Sequence, residues 1–160
     1  DYLQFNSTNA KADDSASYNA PSDTLINNYG YSNGNVVIAY CFAEIPGYSR
    51  FGYYDGNGDS NGPFIYTGFK PVFTMLKRTD STDWFGVSDN QRQTAINDGS
   101  KKLMTANTSD IEGTLAIDYY SNGFKLRNTN GGVNADGGKY FYMAFGQSIV
   151  GSNNIPATAR

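Results

Sequence analysis

Residues 114–127 have the sequence TLAIDYYSNGFKLR, in which two runs rich in strand-forming side chains flank the tripeptide Ser-Asn-Gly. An Asn-Gly pair favours the type I′ turn, whose twist matches that of two antiparallel strands. The stretch therefore predicts a tight β-hairpin with strands at 114–120 and 123–127. It is the clearest local indication of the fold.

Similar short strand patterns, separated by clusters of Gly, Asn, Asp and Ser, occur along most of the chain. Two of them, 72–76 and 140–145, are apolar on both faces, which is typical of central strands that are covered on each side. No extended helix is predicted, and residues 90–99 are given at most one helical turn. Many short strands spaced by turns predict an all-β fold, an antiparallel β-sandwich or jelly roll. Besides the hairpin, strands are predicted at 36–43, 48–54, 63–67, 72–78, 83–87, 101–105 and 139–146.

The composition supports this fold class and argues against several functions. Aromatic residues make up 15% of the 160 residues and charged residues only 17%, so strand and turn formers dominate. A net charge of −3 argues against a nucleic-acid partner, because phosphate binding requires a basic surface. The longest apolar run, 36–43, is too short to cross a membrane, and no membrane insertion is predicted. The polar, lysine-poor composition favours an extracellular or virion-surface location. The single cysteine, Cys41, lies in that apolar run, which predicts a buried side chain.

The N-terminal residues differ in composition from the rest of the chain. They are mostly small and polar, with a few scattered apolar side chains. The chain is therefore divided into an N-terminal arm at 1–35, a β-sandwich domain at 36–147 and a C-terminal tail at 148–160.

Two blocks of sequence recur at a nearly constant offset. LQFNST at 3–8 resembles LMTANTS at 103–109, and SNGNVVIAYCFAE at 32–44 resembles ADGGKYFYMAFGQ at 135–147. A constant offset over separate blocks indicates that residues 1–46 correspond to the second half of a repeat. A half-unit leaves strand edges and an apolar face uncovered.

Two arrangements would cover such a half-unit. Its strands dock on the chain's own sandwich, or a neighbouring copy covers them through strand donation. Donation repeated head to tail gives a filament, because a contact that does not close propagates. The residues expected to mediate assembly are the apolar ones of the half-unit: Leu3, Phe5, Leu25, Ile26, Val36, Ile38, Tyr40 and Phe42.

The stretch YYDGNGDSNGPF at 53–64 resembles a calcium-binding loop, because Asp55, Asn57 and Asp59 alternate in it. An EF-type loop also requires Gly at its sixth position and Glu at its twelfth, and here those positions hold Ser and Tyr. The stretch is interpreted as a turn between strands, with the three side chains as a weak candidate for a surface calcium site. No metal or other cofactor is predicted.

Catalysis has little support in the sequence. The absence of histidine excludes His-dependent catalytic triads and His-ligated zinc sites. Asp118 is the strand carboxylate most relevant to glycoside hydrolysis, but an outward position on an alternating strand is the simpler interpretation. The protein is predicted not to be an enzyme.

Carbohydrate binding has better support, because aromatic rings stack on sugars and Asn and Asp side chains bond their hydroxyls. The candidate glycan-binding residues are Trp84, Tyr53 and Tyr54, with Tyr66 and the Asn-rich loops as further contributors. Core packing and cross-strand pairing remain the default role of aromatic side chains in a β-sandwich.

Two Asn-x-Ser/Thr sequons begin at Asn6 and Asn107, in equivalent positions of the two repeat blocks. In a secreted eukaryotic protein they would be candidate glycosylation sites. In a bacterial or viral protein they are better explained as a turn or strand-edge motif.

Several motifs occur in a characteristic order along the chain. They are AYCFAE at 39–44, GYSRFG at 47–52, GNG at 56–58, GPF at 62–64, TGFKP at 67–71, KRTD at 77–80 and SNGFKLR at 121–127. Together they resemble a β-sandwich repeat domain of tail and fibre proteins of aquatic bacteriophages and of related extracellular filaments. This resemblance implies a concanavalin-like sandwich on an extracellular or virion appendage, and it includes no catalytic motif.

These observations lead to three functional expectations. The first is a non-enzymatic structural subunit of an extracellular fibre or filament, assembling with itself head to tail by strand complementation. The second is a receptor-binding tip domain that recognises cell-surface glycans. The third, and weakest, is a polysaccharide-degrading enzyme.

Overall fold

The structure is a computed structural model that describes residues 2–13, 38, 40–92, 97 and 102–147. All of the strands are antiparallel, and they form a six-stranded sheet in the order β1-β9-β3-β4-β5-β6 and a three-stranded sheet in the order β2-β8-β7. The prediction of an all-β antiparallel sandwich is confirmed, and a jelly-roll topology stays a prediction. The elements are β1 Ser49–Asp55, β2 Phe64–Tyr66, β3 Pro71–Arg78, β4 Phe85–Asp89, β5 Lys102–Thr105, β6 Gly113–Thr114, β7 Ile117–Tyr120, β8 Gly123–Leu126, α1 Gly131–Asn134 and β9 Lys139–Gly146.

Strand β9 shows how the sequence pattern places side chains on the two faces of the six-stranded sheet. Successive side chains of a strand point to opposite faces. Those that enter the core are Tyr140, Tyr142 and Ala144. Those that face away from it are Phe141, Met143 and Phe145. The sheet is therefore apolar on both faces at its centre, as the pattern of 140–145 predicted.

The two sheets pack around a common aromatic and aliphatic core. Phe124 of β8 meets Tyr142 of β9 edge to face, with ring centroids 5.7 Å apart. The buried Tyr119 hydroxyl of β7 lies 2.7 Å from Thr74 Oγ1 and donates to the Ser88 carbonyl at 3.2 Å. Because a buried hydroxyl without a partner would be costly, these bonds allow a polar group to tie one sheet to the other.

The predicted hairpin is confirmed, but the turn that joins its strands is not type I′. The register pairs Tyr120 with Gly123, so the loop residues are Ser121 and Asn122. Neither has a positive φ, which a type I′ turn requires at both positions. Gly123 is needed for another reason, since a Cβ there would collide with the carbonyl oxygen of Ile65 on β2.

The strand predicted at 36–43 is wrong for the part of it that the structure describes. Residues 38 and 40–43 are not in a strand, and Cys41 is exposed rather than buried. The chain instead turns sharply just after them, where the Ile45 N–H donates to the carbonyl of Ser49 at the start of β1. A β-forming composition gives a strand only where a sheet edge is available to pair with it.

Within the described residues one helical turn is present, α1, and most of the stretch predicted to hold a turn, 93–96 and 98–99, lies outside them. Asn130 caps α1 by accepting a hydrogen bond from the Gly132 N–H at 2.8 Å. Residues 90–92 and 97, the described part of the predicted stretch, contain no helix. There the Asp89 carboxylate accepts hydrogen bonds from the N–H groups of Gln91 and Arg92, which form a turn after β4.

Candidate binding surfaces

The face of the six-stranded sheet that points away from the core carries a groove, which we call the outer groove. Its cavity volume is about 470 Å³, within the range of sites that bind small molecules. The sheet forms its floor, and residues 2–13, called here the N-terminal segment, form one wall. The lining residues are Tyr2, Leu3, Phe5, Lys11, Tyr40, Phe42, Tyr53, Thr79, Phe85, Phe141 and Met143.

The N-terminal segment is held on the chain's own sandwich by a small set of contacts. The Lys11 N–H donates to the Thr79 carbonyl at 2.9 Å, and the Asp83 N–H donates to the Thr8 carbonyl at 2.7 Å. The ring of Phe5 stacks on the ring of Phe85 in the groove floor, with centroids 5.0 Å apart. Of the two arrangements considered for the half-unit, residues 2–13 therefore adopt docking on their own domain.

Lys77 lies beneath this segment and was not singled out from the sequence. Its side chain is fully buried, and its Nζ donates to the carbonyls of Thr8 at 3.1 Å and Asp83 at 2.9 Å. The ammonium group also lies 5.4 Å from the centroid of the Phe85 ring. Burial lowers the pKa of Lys77, while the charge of Asp83 raises it to a smaller extent. The signal in the sequence that could have identified Lys77 is a lysine within the largely apolar strand predicted at 72–78.

Several of the predicted assembly residues form a patch around the groove that is exposed to solvent. Phe42 contacts the ring of Phe145 on β9 at 5.9 Å between centroids, yet 61% of its surface remains exposed. A soluble protein that exposes neighbouring large apolar side chains commonly uses them to bind a partner. We call this the apolar patch; it comprises Phe5, Tyr40, Phe42 and Tyr53, which also line the groove, and Ile38 is exposed as well. Leu3 lines the groove, and Leu25, Ile26 and Val36 lie outside the described residues.

Along one edge of each sheet, side chains form hydrogen bonds with backbone groups of the edge strand. The Glu44 carboxylate accepts the N–H of Phe51 on edge strand β1 at 3.0 Å. The Asn97 amide pairs with edge strand β7, accepting the Tyr119 N–H at 2.8 Å and donating to its carbonyl at 3.1 Å. Such pairing blunts an edge against the addition of another strand.

The outer face of the three-stranded sheet carries a second surface, which we call the aromatic platform. It consists of Phe64, Tyr66 and Tyr120, whose exposed fractions are 45%, 57% and 39%. The rings of Phe64 and Tyr120 meet at 71°, with centroids 5.9 Å apart. The guanidinium of Arg50 lies 5.8 Å from the centroid of the Tyr66 ring. The sequence indicated Tyr66 but not the other two residues, because the partners of β2 were unknown.

Asp118 lies on the same face as the platform, and it is buried rather than outward in solvent, contrary to expectation. Only 8% of it is exposed. Its Oδ2 lies 3.4 Å from Arg127 Nε and accepts a hydrogen bond from the Tyr120 hydroxyl at 3.3 Å. The salt bridge and the hydrogen bond fix the orientation of the Asp118 carboxylate at the border of the platform.

The three residues predicted to bind glycans do not come together. Tyr54 is buried in the core, where its ring stacks on Tyr140 at 5.0 Å and its hydroxyl donates to a backbone carbonyl, so its assignment to a glycan site is wrong. Trp84 packs partly buried against the core, over Gly86 and Gly132. Tyr53 is exposed, but it belongs to the apolar patch.

The candidate calcium residues each have partners within the protein. Asp55 pairs with Lys139 at 2.9 Å, and Asn57 and Asp59 accept backbone N–H groups within their own loop. The described residues contain no group of three or more His, Cys, Asp or Glu side chains that could hold a metal. The buried Asn134, which was not predicted from the sequence, anchors this loop through three side-chain hydrogen bonds and donates a fourth to the Asn128 carbonyl.

The two sequons differ in their surroundings. Asn6 is exposed. Asn107 is half-buried, and its amide accepts the Phe85 N–H at 2.8 Å and donates to the Ser7 carbonyl at 3.0 Å. This arrangement favours the strand-edge interpretation of Asn107, because glycosylation would disturb both bonds.

The fold and its two surfaces define a class of protein, a two-sheet antiparallel β-sandwich module with a docked N-terminal segment. The chain belongs to the family described as Domain of unknown function (DUF7483), whose model matches residues 1–148. The match extends across the predicted boundary between arm and sandwich. No curated protein and no solved structure matches the chain significantly. Within the described residues, no helix has the length and apolar character needed to span a membrane.

Proposed function

We propose that this protein is a non-enzymatic structural subunit of an extracellular fibre or filament, of the phage tail-fibre or pilus type. In this proposal the N-terminal segment of one copy occupies the outer groove of the next copy. Repetition of that contact gives a head-to-tail assembly. The same proposal places the protein outside the cell or on a virion surface, in line with the sequence resemblance to tail and fibre domains.

One observation carries the proposal: the outer groove is apolar, and only part of it is filled by the chain's own N-terminal segment. A volume of about 470 Å³ remains beside that segment, and the apolar patch surrounds it. Burying the exposed rings against a neighbour would remove a large apolar area from water, at about 25 cal/mol per Å².

Exchange of the N-terminal segment between copies is compatible with the contacts that hold it. The segment is joined to the rest of the chain by residues 14–37, which are long enough to span about 80 Å if extended. A neighbouring segment would find the same partners, including the Lys77 ammonium and the ring of Phe85. Because side chains occupy the edges of β1 and β7, exchange across the sheet face is favoured over strand addition at those edges.

The proposal is tested by electron microscopy and by light scattering of the purified protein over a range of concentrations. We expect filaments or large oligomers, which should disappear in the double variant Tyr40→Ser/Phe42→Ser, with the circular dichroism spectrum unchanged. The matched control Phe64→Ser/Tyr66→Ser changes two exposed rings on the opposite sheet and should still assemble. A wild-type protein that is monomeric at every concentration would overturn the proposal.

A second experiment separates segment exchange from simple contact between faces. A variant that lacks residues 2–13 should fold but not assemble, and it should bind a synthetic peptide with the sequence of residues 2–13. If the truncated, folded protein assembles as the wild type does, the N-terminal segment is not the element that joins the copies.

A further inference from the structure

The rings of the aromatic platform are exposed to solvent, unlike those of a core surface. The platform lies on the three-stranded sheet, on the opposite side of the sandwich from the outer groove. Tyr66 and Tyr120 lie opposite Gly123 in the register of the three-stranded sheet, so the central strand offers no side chain between them. The ring of Phe64 covers this glycine, since a Cβ there would lie 2.8 Å from its Cζ. The glycine thus leaves room for the Phe64 ring, which lies over the central strand and meets the ring of Tyr120 edge to face.

The charges around the platform are opposite in sign to the charge of the chain as a whole. Three cationic side chains border it: Arg50 contacts Tyr66, Lys125 pairs in register with Phe64, and Arg127 contacts Asp118. Two carboxylates lie near them: Asp118, which the register places among them, and Glu44, whose charge acts on Tyr142 together with that of Arg50. The local balance is therefore positive, although the chain carries a net charge of −3.

From these two observations we infer that the aromatic platform is a binding site for an acidic polysaccharide. The exposed faces of Tyr66 and Phe64 stack on the apolar faces of sugar rings. Arg50 and Lys125 pair with the carboxylates of uronic or sialic acid units. Residues two apart on a strand place their side chains about 7 Å apart on one face, a spacing that lets neighbouring rings contact successive parts of one glycan chain.

The arrangement favours a glycan over the other anionic polymers. Nucleic acid carries a much higher charge density and calls for an extensive basic surface, which a chain with a net charge of −3 lacks. Asp118 is buried and bonded to Arg127 and to the Tyr120 hydroxyl, so it fixes these two side chains at the border of the platform. Flat rings with a few fixed polar groups are the usual composition of a small-molecule site.

The inference is tested by calorimetric titration of the full chain with a hexameric uronic acid oligosaccharide and, in parallel, with a neutral glucose hexamer. We expect saturable binding of the acidic hexamer and at least tenfold weaker binding of the neutral one. Tyr66→Ala and Lys125→Ala should each weaken the acidic interaction about tenfold. The control Tyr53→Ala changes an even more exposed tyrosine on the other sheet and should leave the interaction unchanged.

Three outcomes would overturn the inference. They are the absence of binding to the acidic hexamer, equal affinity for the neutral hexamer, or an affinity that Tyr66→Ala does not change. Because the control residue belongs to the apolar patch, a loss of binding in Tyr53→Ala alone would move the site to the outer groove and also count against the platform.

Discussion

The two outward-facing sides of the sandwich are both aromatic, but they differ in what lies over them. On the six-stranded sheet, Phe85 and Met143 are buried, because the N-terminal segment and the residues around Phe42 cover them. On the three-stranded sheet, Phe64 and Tyr66 are exposed to solvent. The first face therefore resembles a second core that is incompletely closed, and the second resembles a recognition surface.

The lysine on each face shows the same difference. Lys77 is fully buried and donates to two backbone carbonyls of the segment and loop above it. Lys125 is only half-buried, beside the rings of the platform. A buried ammonium is retained where its hydrogen bonds are satisfied, whereas a half-exposed one is available to a ligand. The first lysine is therefore committed to structure, and the second is accessible to the ligand inferred above.

The same substitution on the two faces should have very different effects on stability. Phe85→Ala removes a buried ring beneath Phe5 and should lower the free energy of unfolding by about 3–4 kcal/mol. Phe64→Ala removes a ring that is already 45% exposed and should cost about 1 kcal/mol or less. Urea denaturation of both variants measures the difference. Similar costs would mean that the outer groove is not a second core.

Between the two faces, the buried tyrosines should make the fold sensitive to alkaline pH. Burial raises the pKa of Tyr119 to about 12, and it also raises the pKa values of Tyr54, Tyr140 and Tyr142. The folded state keeps these protons after the unfolded state, with pKa values near 10, has lost them. The stabilisation is therefore fully present below pH 10 and is lost as the pH rises toward 12. For Tyr119 alone the loss amounts to about 3 kcal/mol.

Lys77 acts in the opposite direction over a lower pH range. Its pKa is lowered by burial, so the unfolded state binds more protons than the folded state as the pH approaches 10.5. This contribution should increase stability with pH before the tyrosines reduce it.

Urea denaturation between pH 8 and 11.5 should show a fall in the free energy of unfolding above pH 10, and this fall should be weaker in Tyr119→Phe. A stability that stays constant to pH 11.5 would contradict the burial of these hydroxyl groups.

The parts of the fold that follow from local pattern could be predicted from the sequence. The double-sided apolar strands β3 and β9 were recognised because both of their faces are buried. The hairpin of β7 and β8 was found from its Asn-Gly pair, although Gly123 is required by the approach of Ile65 rather than by the turn. In each case the element was predicted correctly because its residues lie close together in the chain.

The surfaces depend on contacts between distant residues and could not be predicted in the same way. Lys77 meets Thr8, and Asn107 meets Ser7, across 69 and 100 positions of the chain. The platform requires β2 to pair with β8, which brings Phe64 to Tyr120. The strand predicted at 36–43 was wrong for residues 38 and 40–43, its described part, for a related reason: the composition of a segment does not show whether a sheet edge is available to it.

The smallest expected effect concerns the charges at the end of the six-stranded sheet. Asp55 and Lys139 form a cross-strand pair at 2.9 Å, with side chains that are 66% and 59% exposed. Water screens such a pair, so Asp55→Asn should change the free energy of unfolding by less than about 0.5 kcal/mol. This substitution also removes one of the candidate calcium ligands. Added calcium should therefore shift the melting temperature of neither the wild type nor the variant. If calcium raises the melting temperature of the wild type but not that of Asp55→Asn, the carboxylate of Asp55 is a calcium ligand. The loop after β1 would then be a metal site and not only a turn.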